Sequence, residues 1–316
     1  MSAPLRIGTR GSALALAQAR AVVAALAEAG EGQGEVELVT ITTAGDIDRA
    51  RGDKSRWTGA LEGALLAGEI DLAVHSAKDV PGELAGGTDI VAAPRRADPL
   101  DVVVGERRLD DVREGARVGT SALRRRAQLL AVRPDLDVVE LRGNIDTRLR
   151  KLRAGETDVL VLAAAGLERL GRHDEVGGRL DGELFVPAPG QGVIAVQART
   201  GTAAASAAAA VSHDRTLACL RAERAAVREL EASCHTPVGI HADLVADGMR
   251  VRGFAGLPDG SAWLVDEVVV AGGDGSLRAG DGSLGADADA AGRELARRML
   301  SAGAADLLRD AEAMAR

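Results

Sequence analysis

Along the chain, short apolar runs alternate with longer stretches in which apolar residues recur every three or four positions. That is the pattern of strands followed by helices. In the first half Leu5–Gly8 reads as a strand and Ala13–Ala29 as a helix with Leu14, Leu16, Ala17 and Ala21 as its apolar positions. Val36–Thr43 reads as a strand, Leu61–Ala67 as a helix and Ile70–His75 as a strand. In the second half Arg117–Gly119, Val138–Leu141 and Val159–Ala163 read as strands, with helices at Leu123–Ala131 and Thr147–Ala154. Such alternation predicts parallel sheets covered on both faces. After about residue 215 the period changes. A helix over Leu217–Leu230 precedes strands near Gly239–Val245, Met249–Gly256 and Ala262–Val270, joined by Asp247-Gly248 and Asp259-Gly260 turns, and a last helix spans about Ala291–Ala302.

The two halves echo each other. Arg6-Ile7-Gly8-Thr9-Arg10 resembles Arg117-Val118-Gly119-Thr120-Ser121, Val36-Glu37-Leu38 returns as Val139-Glu140-Leu141, and Gly68-Glu69-Ile70-Asp71-Leu72 returns as Gly155-Glu156-Thr157-Asp158-Val159. Three blocks in one order point to two similar α/β lobes with a cleft between them. Asp98-Pro99 and Pro187–Gly192 read as crossings between lobes. The expected division is 1–97 with 193–214 as a discontinuous first lobe, 98–192 as the second, and 215–316 as a small α+β domain.

A length of 316 residues suits more than one core, and 46% hydrophobic with 27% charged residues describes an ordinary globular chain. A formal charge of −8 argues against nucleic acid or an anionic membrane as partner, and an aromatic content of 1% with no Tyr leaves few stacking platforms. No apolar targeting segment follows Met1-Ser2-Ala3-Pro4, and the Ala-rich run Ala203–Val211 is too short to span a bilayer. Two cysteines and five scattered histidines make neither a disulfide framework nor a zinc site. The expectation is a cytoplasmic monomer without a metal.

Chemistry concentrates at a few turns. Arg10 and Ser12 follow the first strand, and Ser121, Arg124 and Arg125 follow its counterpart, where a helix start offers unpaired N–H groups to an anion. Arg142, Arg148 and Arg169 add cations suited to carboxylate or phosphate. Solvated helix faces are the plainer reading of such arginines, and no P-loop or G-x-G-x-x-G follows a strand. Ala73–Pro81 ends an apolar strand in His75, Ser76, Lys78 and Asp79, at the sheet edge where ligands bind in open α/β folds. Asp79 there could stabilise a developing cation or cap a helix. Cys234 sits in a polar loop beside His235 and could serve as a nucleophile or attachment point, whereas Cys219 fits a buried helix position.

These residues resemble the porphobilinogen deaminase family. The resemblance covers nearly the whole chain: Arg6–Leu16, Ala73–Pro81, Gly119–Arg125, Leu141–Asn144, Ala163–Leu167, Pro187–Gly192, Ala222–Arg224 and Cys234–Gly239. It implies two periplasmic-binding-protein-like lobes with a third small domain. It implies a dipyrromethane cofactor on a thioether to Cys234, which primes the condensation of four porphobilinogen molecules, with loss of ammonia, into hydroxymethylbilane. Asp79, with Lys78, is implied as the catalytic pair facing the pyrrole nitrogens. Ser121, Arg124, Arg125, Lys78 and Asp79 are implied to hold the cofactor, and Arg10, Ser12, Ser76, Arg142, Asn144, Arg148 and Arg169 the substrate carboxylates. Changes at Arg124, Arg125 and Arg142 are accordingly expected to affect chain assembly rather than folding. The family's Gly-Gly-Lys-Gly-x-Phe-type lid is replaced by Arg51–Gly59, with Lys54 and Trp57 at the Lys and Phe positions. A two-lobed anionic-ligand-binding protein and a catalytically silent relative are the alternatives.

Overall fold

The structure is a computed structural model that describes residues 4–30, 35–43, 55–232, 236–246, 248–271 and 283–314. The chain divides into two compact units, Met1–Ala97 with Val193–Leu220 and Asp98–Gly192 with Arg221–Arg316.

The first unit is built on β1 (Leu5–Thr9), α1 (Ala13–Glu28), β2 (Val36–Thr40), α2 (Ser55–Ala67), β3 (Leu72–Ser76) and β4 (Thr88–Ala92), completed by the returning strand β10 (Ile194–Arg199) and helix α6 (Ala203–Ala209). The strand order is β2-β1-β3-β10-β4. α1 buries Ala19, Val22 and Leu26 against Ile7, Leu72 and Val74. Its inward stripe therefore falls at i, i+3 and i+7 from Ala19, not on the expected Ala21, which is exposed. The opposite face packs Leu61 and Leu65 of α2 over Ile70 and Ala73. α2 begins at Ser55, earlier than its apolar period suggested.

The second unit contains β5 (Asp101–Val104), β6 (Arg117–Thr120), α3 (Leu123–Val132), β7 (Asp137–Glu140), α4 (Ile145–Arg153), β8 (Val159–Ala163), α5 (Ala164–Arg169) and β9 (Arg179–Leu180). Its order, β7-β6-β8-β5-β9, repeats the first sheet position by position. The sheets are mixed rather than wholly parallel. β10 runs antiparallel to β3 and β4, and β5 antiparallel to β8 and β9. In each sheet the antiparallel strand is the one that directly follows a chain crossing, so no helical crossover precedes it and its direction is reversed.

The sequence echo proves to be a repeated clamp. Asp71 Oδ2 accepts from the Arg6 backbone N–H at 2.9 Å, and Asp158 Oδ2 accepts from that of Arg117 at 2.8 Å. Gly8 and Gly119 permit the close packing beside each clamp: an added Cβ would strike Ile70 in the first sheet and lie 2.9 Å from Leu160 in the second.

Helix α7 (Asp214–Glu229) leads towards the antiparallel sheet of β11 (Val238–Val245), β12 (Gly248–Gly256) and β13 (Trp263–Ala271). α8 (Ser283–Ser301) and α9 (Ala304–Met314) pack with it; α8 starts well before the expected Ala291, and α9 had no expectation. The small α+β fold is thus present, and it clusters with residues 98–192. Among the described residues no helix is long and apolar enough to cross a membrane.

Candidate functional site

In the first unit the chemistry lies at the C-terminal ends of β1 and β3, which pair in parallel. β3 ends at Ser76 and passes into a single 3-10 turn, Ala77–Asp79, anchored by Ala77 N–H donating to Val193 O at 3.0 Å. Lys78 and Asp79 on this turn are half-buried. Ser76 Oγ and the Gln18 side chain of α1 hydrogen bond at 2.9 Å. Ser12 caps α1, accepting from Ala15 N–H at 3.2 Å, and half-buried Arg10 precedes it. His75, buried on the other face of β3, feels the charges of both Arg10 and Asp79. Arg10, Ser12, Ser76, Lys78 and Asp79 therefore gather at one sheet edge.

His75, beyond its place in the Ala73–Pro81 motif, heads a buried polar chain. Its Nε2 lies 3.1 Å from Gln197 Oε1, and Gln197 Nε2 donates to Glu62 Oε1 at 2.9 Å and to Thr88 Oγ1 at 2.8 Å. Burial pushes the His75 pKa down to about 4, overriding the Gln197 hydrogen bond and the nearby carboxylates of Glu62 and Asp79.

In the second unit the implied residues follow β6, β7 and β8, but they divide into two kinds. Arg124 and Arg125 are buried and spent on Asp101. Arg124 Nη2 donates to Asp101 Oδ2 at 2.7 Å, and Arg125 Nε donates to Oδ1 at 3.0 Å. Arg124 also reaches Gln128 and Val186 O, and Arg125 reaches Val161 O. Burial alone would raise the Asp101 pKa, but the two guanidinium charges hold it well below the usual carboxylate range. These arginines brace α3 against the sheet, so changing them is expected to cost folding stability as well as any effect on chain assembly.

The other kind has charge in reserve. Arg148, half-buried on α4, donates from Nη2 to Ser121 Oγ at 2.8 Å and from Nε to Gly143 O at 2.9 Å. Burial, with repulsion from Arg125, brings its pKa down to about 10. Arg169 donates to Gly192 O at 2.7 Å and is likewise depressed by burial. Neither has a carboxylate in contact among the described residues. Exposed Asn144 caps α4 by accepting from Thr147 N–H at 2.8 Å, and exposed Arg142 pairs with Glu140 at 2.7 Å.

Lys54, Cys234 and the side chain of Trp57 lie outside the described residues. Sequence reasoning missed Asp101, whose only signal is a carboxylate opening the apolar run Asp101-Val102-Val103-Val104. It also assigned no role to Glu223, whose buried carboxylate accepts from Gly190 N–H at 2.6 Å and Ala242 N–H at 2.9 Å. Those bonds fasten the Pro187–Gly192 turn to β11, the strand that starts four positions after Cys234.

Duplicated α/β sheets that carry two half-buried cations, Arg148 and Arg169, meeting only neutral oxygens among the described residues are a frame suited to an anionic small molecule. The chain belongs to the porphobilinogen deaminase family. Residues 5–207 match "Porphobilinogen deaminase, dipyromethane cofactor binding domain" and residues 217–301 match "Porphobilinogen deaminase, C-terminal domain". The porphobilinogen deaminase of Trichlorobacter lovleyi is 42% identical over 313 residues, covering 97% of this chain and 96% of its own length. That of Thermus thermophilus is 44% identical over 306 residues, covering 96% and 97%. Among solved structures, a TRAP periplasmic solute binding protein from Desulfovibrio salexigens aligns with a TM-score of 0.41 and 12% identity over 67% of this chain and 73% of its own. The VFT2 domain of Bordetella pertussis BvgS gives 0.38 and 16% over 66% and 86%. Likeness at that level decides nothing about this chain.

Proposed function

We propose that the protein is a transferase that condenses four porphobilinogen molecules, with loss of ammonia, into linear hydroxymethylbilane on a dipyrromethane primer tethered to Cys234. The observation that carries the reading is the match of residues 5–207 to the cofactor-binding domain of this family. The donor set fits such a group. A primer and growing chain bear several carboxylates, and Arg148 and Arg169 are half-buried cations that donate only to neutral oxygens among the described residues. When bound, the dipyrromethane supplies the pyrrole carbon to which the first substrate unit is joined.

The chain's own groups do the rest. Ser121, Arg124, Arg125, Arg142, Asn144, Arg148 and Arg169 form the carboxylate-binding set of the second unit, with Arg124 and Arg125 acting through the frame they build with Asp101. Arg10, Ser12, Ser76 and Lys78 are the corresponding set of the first. Asp79 meets the pyrrole nitrogen and stabilises the positive charge that develops there as ammonia leaves. A close pair of opposite charges is worth about 4 kcal/mol at an effective dielectric near 20. Lys54 and Trp57 are assigned to a lid by the family resemblance alone. The net charge of −8 argues against a nucleic-acid partner and favours a monomer, and the cytoplasm is the compartment that goes with this reading. The three-domain division at 1–97 with 193–214, 98–192 and 215–316 stands as part of the same reading.

Intact mass tests the tether. Wild-type protein from cells that make porphobilinogen should exceed its sequence mass by two pyrrole units, Cys234→Ser should lack the increment, and Cys219→Ser should keep it. An unmodified wild type overturns the proposal.

A further inference from the structure

The polar chain that ends at His75 has a geometry that packing alone does not require. Three groups converge from three elements: Glu62 from α2, Gln197 from β10 and His75 from β3. Glu62, as a carboxylate, only accepts, so the Gln197 atom 2.9 Å from it is the amide nitrogen. The second Gln197 contact, to Thr88 Oγ1 at 2.8 Å, is satisfied by the same amide, because the Thr88 hydroxyl proton is committed to Ala85 O at 2.7 Å. Ala85 N–H in turn donates to Glu62 Oε1 at 3.1 Å, fixing the carboxylate. The orientation of Gln197 is therefore determined, and its oxygen faces His75. An oxygen there requires a proton on His75 Nε2, which leaves Nδ1 as the acceptor.

The Glu62 carboxylate reaches His75 only through an uncharged amide. Direct contact with a carboxylate favours imidazolium, whereas an amide oxygen favours the charged form far less, and burial opposes it. The charged groups acting on His75 are Glu62 from α2, Asp79 on the turn after β3 and Arg10 after β1. An imidazolium four residues before Asp79 would answer that carboxylate's charge from within the protein.

We propose that Glu62 and Gln197 are positioning residues for the reaction: they hold His75 as a neutral, Nε2-protonated imidazole next to the Lys78–Asp79 turn, so that the Asp79 charge is available to the reacting pyrrole. The inference rests on the role given to Asp79 above.

The test exchanges the two side chains in the holoenzyme, Glu62→Gln together with Gln197→Glu, which conserves volume and total charge but sets a carboxylate against His75. The cofactor increment in the intact mass should persist and KM should stay within about twofold, while kcat acquires a new acid limb. Below that ionisation kcat should fall about tenfold per pH unit and recover at alkaline pH. A pH profile superimposable on wild type overturns the proposal. Nitrogen-15 NMR of wild-type His75 tests it without a variant. A neutral Nε2–H imidazole at pH 6 supports it, and an Nδ1–H tautomer or an imidazolium there overturns it. Asp79→Asn separates the two readings: if that variant turns over normally, the role of Asp79 fails; if it is inactive while the exchange variant behaves as wild type, only the positioning role of Glu62 and Gln197 fails.

Discussion

Arg124 and Arg148 carry the same charge within one unit, and what answers that charge differs. Arg124 is buried and meets Asp101 Oδ2 at 2.7 Å, so Arg124→Leu takes one of two guanidinium partners from an interior carboxylate and leaves it to Arg125 alone. Breaking a buried pair in this way typically costs about 3–5 kcal/mol. Arg148 donates to a hydroxyl and a backbone carbonyl. Arg148→Leu should leave the denaturation midpoint close to wild type and instead stall chain growth, seen by native mass spectrometry as short intermediates. Equal loss of stability in the two variants would contradict the distinction. His75 makes a separate prediction in pH. Its folded pKa of about 4 lies below the ordinary 6.5, so the unfolded chain binds the extra proton between those values. The associated stability is present above about pH 6.5 and is lost as pH falls toward 4, by about 3 kcal/mol. Asp101 moves oppositely to a simple buried acid: its depressed pKa keeps its ion pairs intact through the same range. Thermal midpoints at pH 7 and 4.5 should therefore converge in His75→Gln relative to wild type.

The turn from β7 into α4 shows how an element aims a functional side chain. Gly143 adopts φ +130°, and an added Cβ would lie 2.7 Å from Thr147 Cγ2. The Gly143 carbonyl is also the acceptor that orients the Arg148 guanidinium. Gly143→Ala should cost about 1–3 kcal/mol through backbone strain and should displace Arg148 as well. Asn144→Ala removes the helix cap, at about 1 kcal/mol, together with one uncharged member of the proposed binding set, while leaving the Gly143 carbonyl and Arg148 in place. Elongation assays on the two variants should separate: strong impairment for Gly143→Ala, mild for Asn144→Ala. If both elongate normally, the carbonyl does not place Arg148.

At the scale of the molecule, ligand binding and stability are linked through those same unanswered cations. Arg148 and Arg169 lose hydration in the folded protein without gaining a carboxylate among the described residues. A bound polyanionic primer would supply that partner, and a group that binds only the native state raises its stability. Cys234→Ser, lacking the primer, should melt below the holoenzyme. Adding Arg148→Leu to both forms should narrow the gap, because one of the cations that the primer satisfies is gone. A gap unchanged by that substitution would place the primer's stabilising contacts elsewhere.

Local periodicity was enough to determine most elements of this protein. β8 falls at Val159–Ala163 as the apolar run predicts, and the echo of Arg6–Arg10 in Arg117–Ser121 marks strands in equivalent sheet positions. Motif resemblance likewise identified the family, and the apolar run ending in Ala73–Pro81 placed Asp79 just beyond the end of β3. Elements that depend on distant partners were less legible. β4, β5, β9 and β10 carry short apolar runs whose direction is set only once the chain has crossed and returned. The same holds for charge. Nothing local in Leu123-Arg124-Arg125-Arg126 tells a buried brace from a binding cation, because that depends on Asp101, a residue 23 positions from Arg124. Nor does Val74-His75-Ser76 announce the neutral histidine, whose partner Gln197 lies 122 positions away. Periodicity is a property of neighbours in sequence, whereas hydrogen bonding and burial are decided by neighbours in space, and only the tertiary structure brings those together.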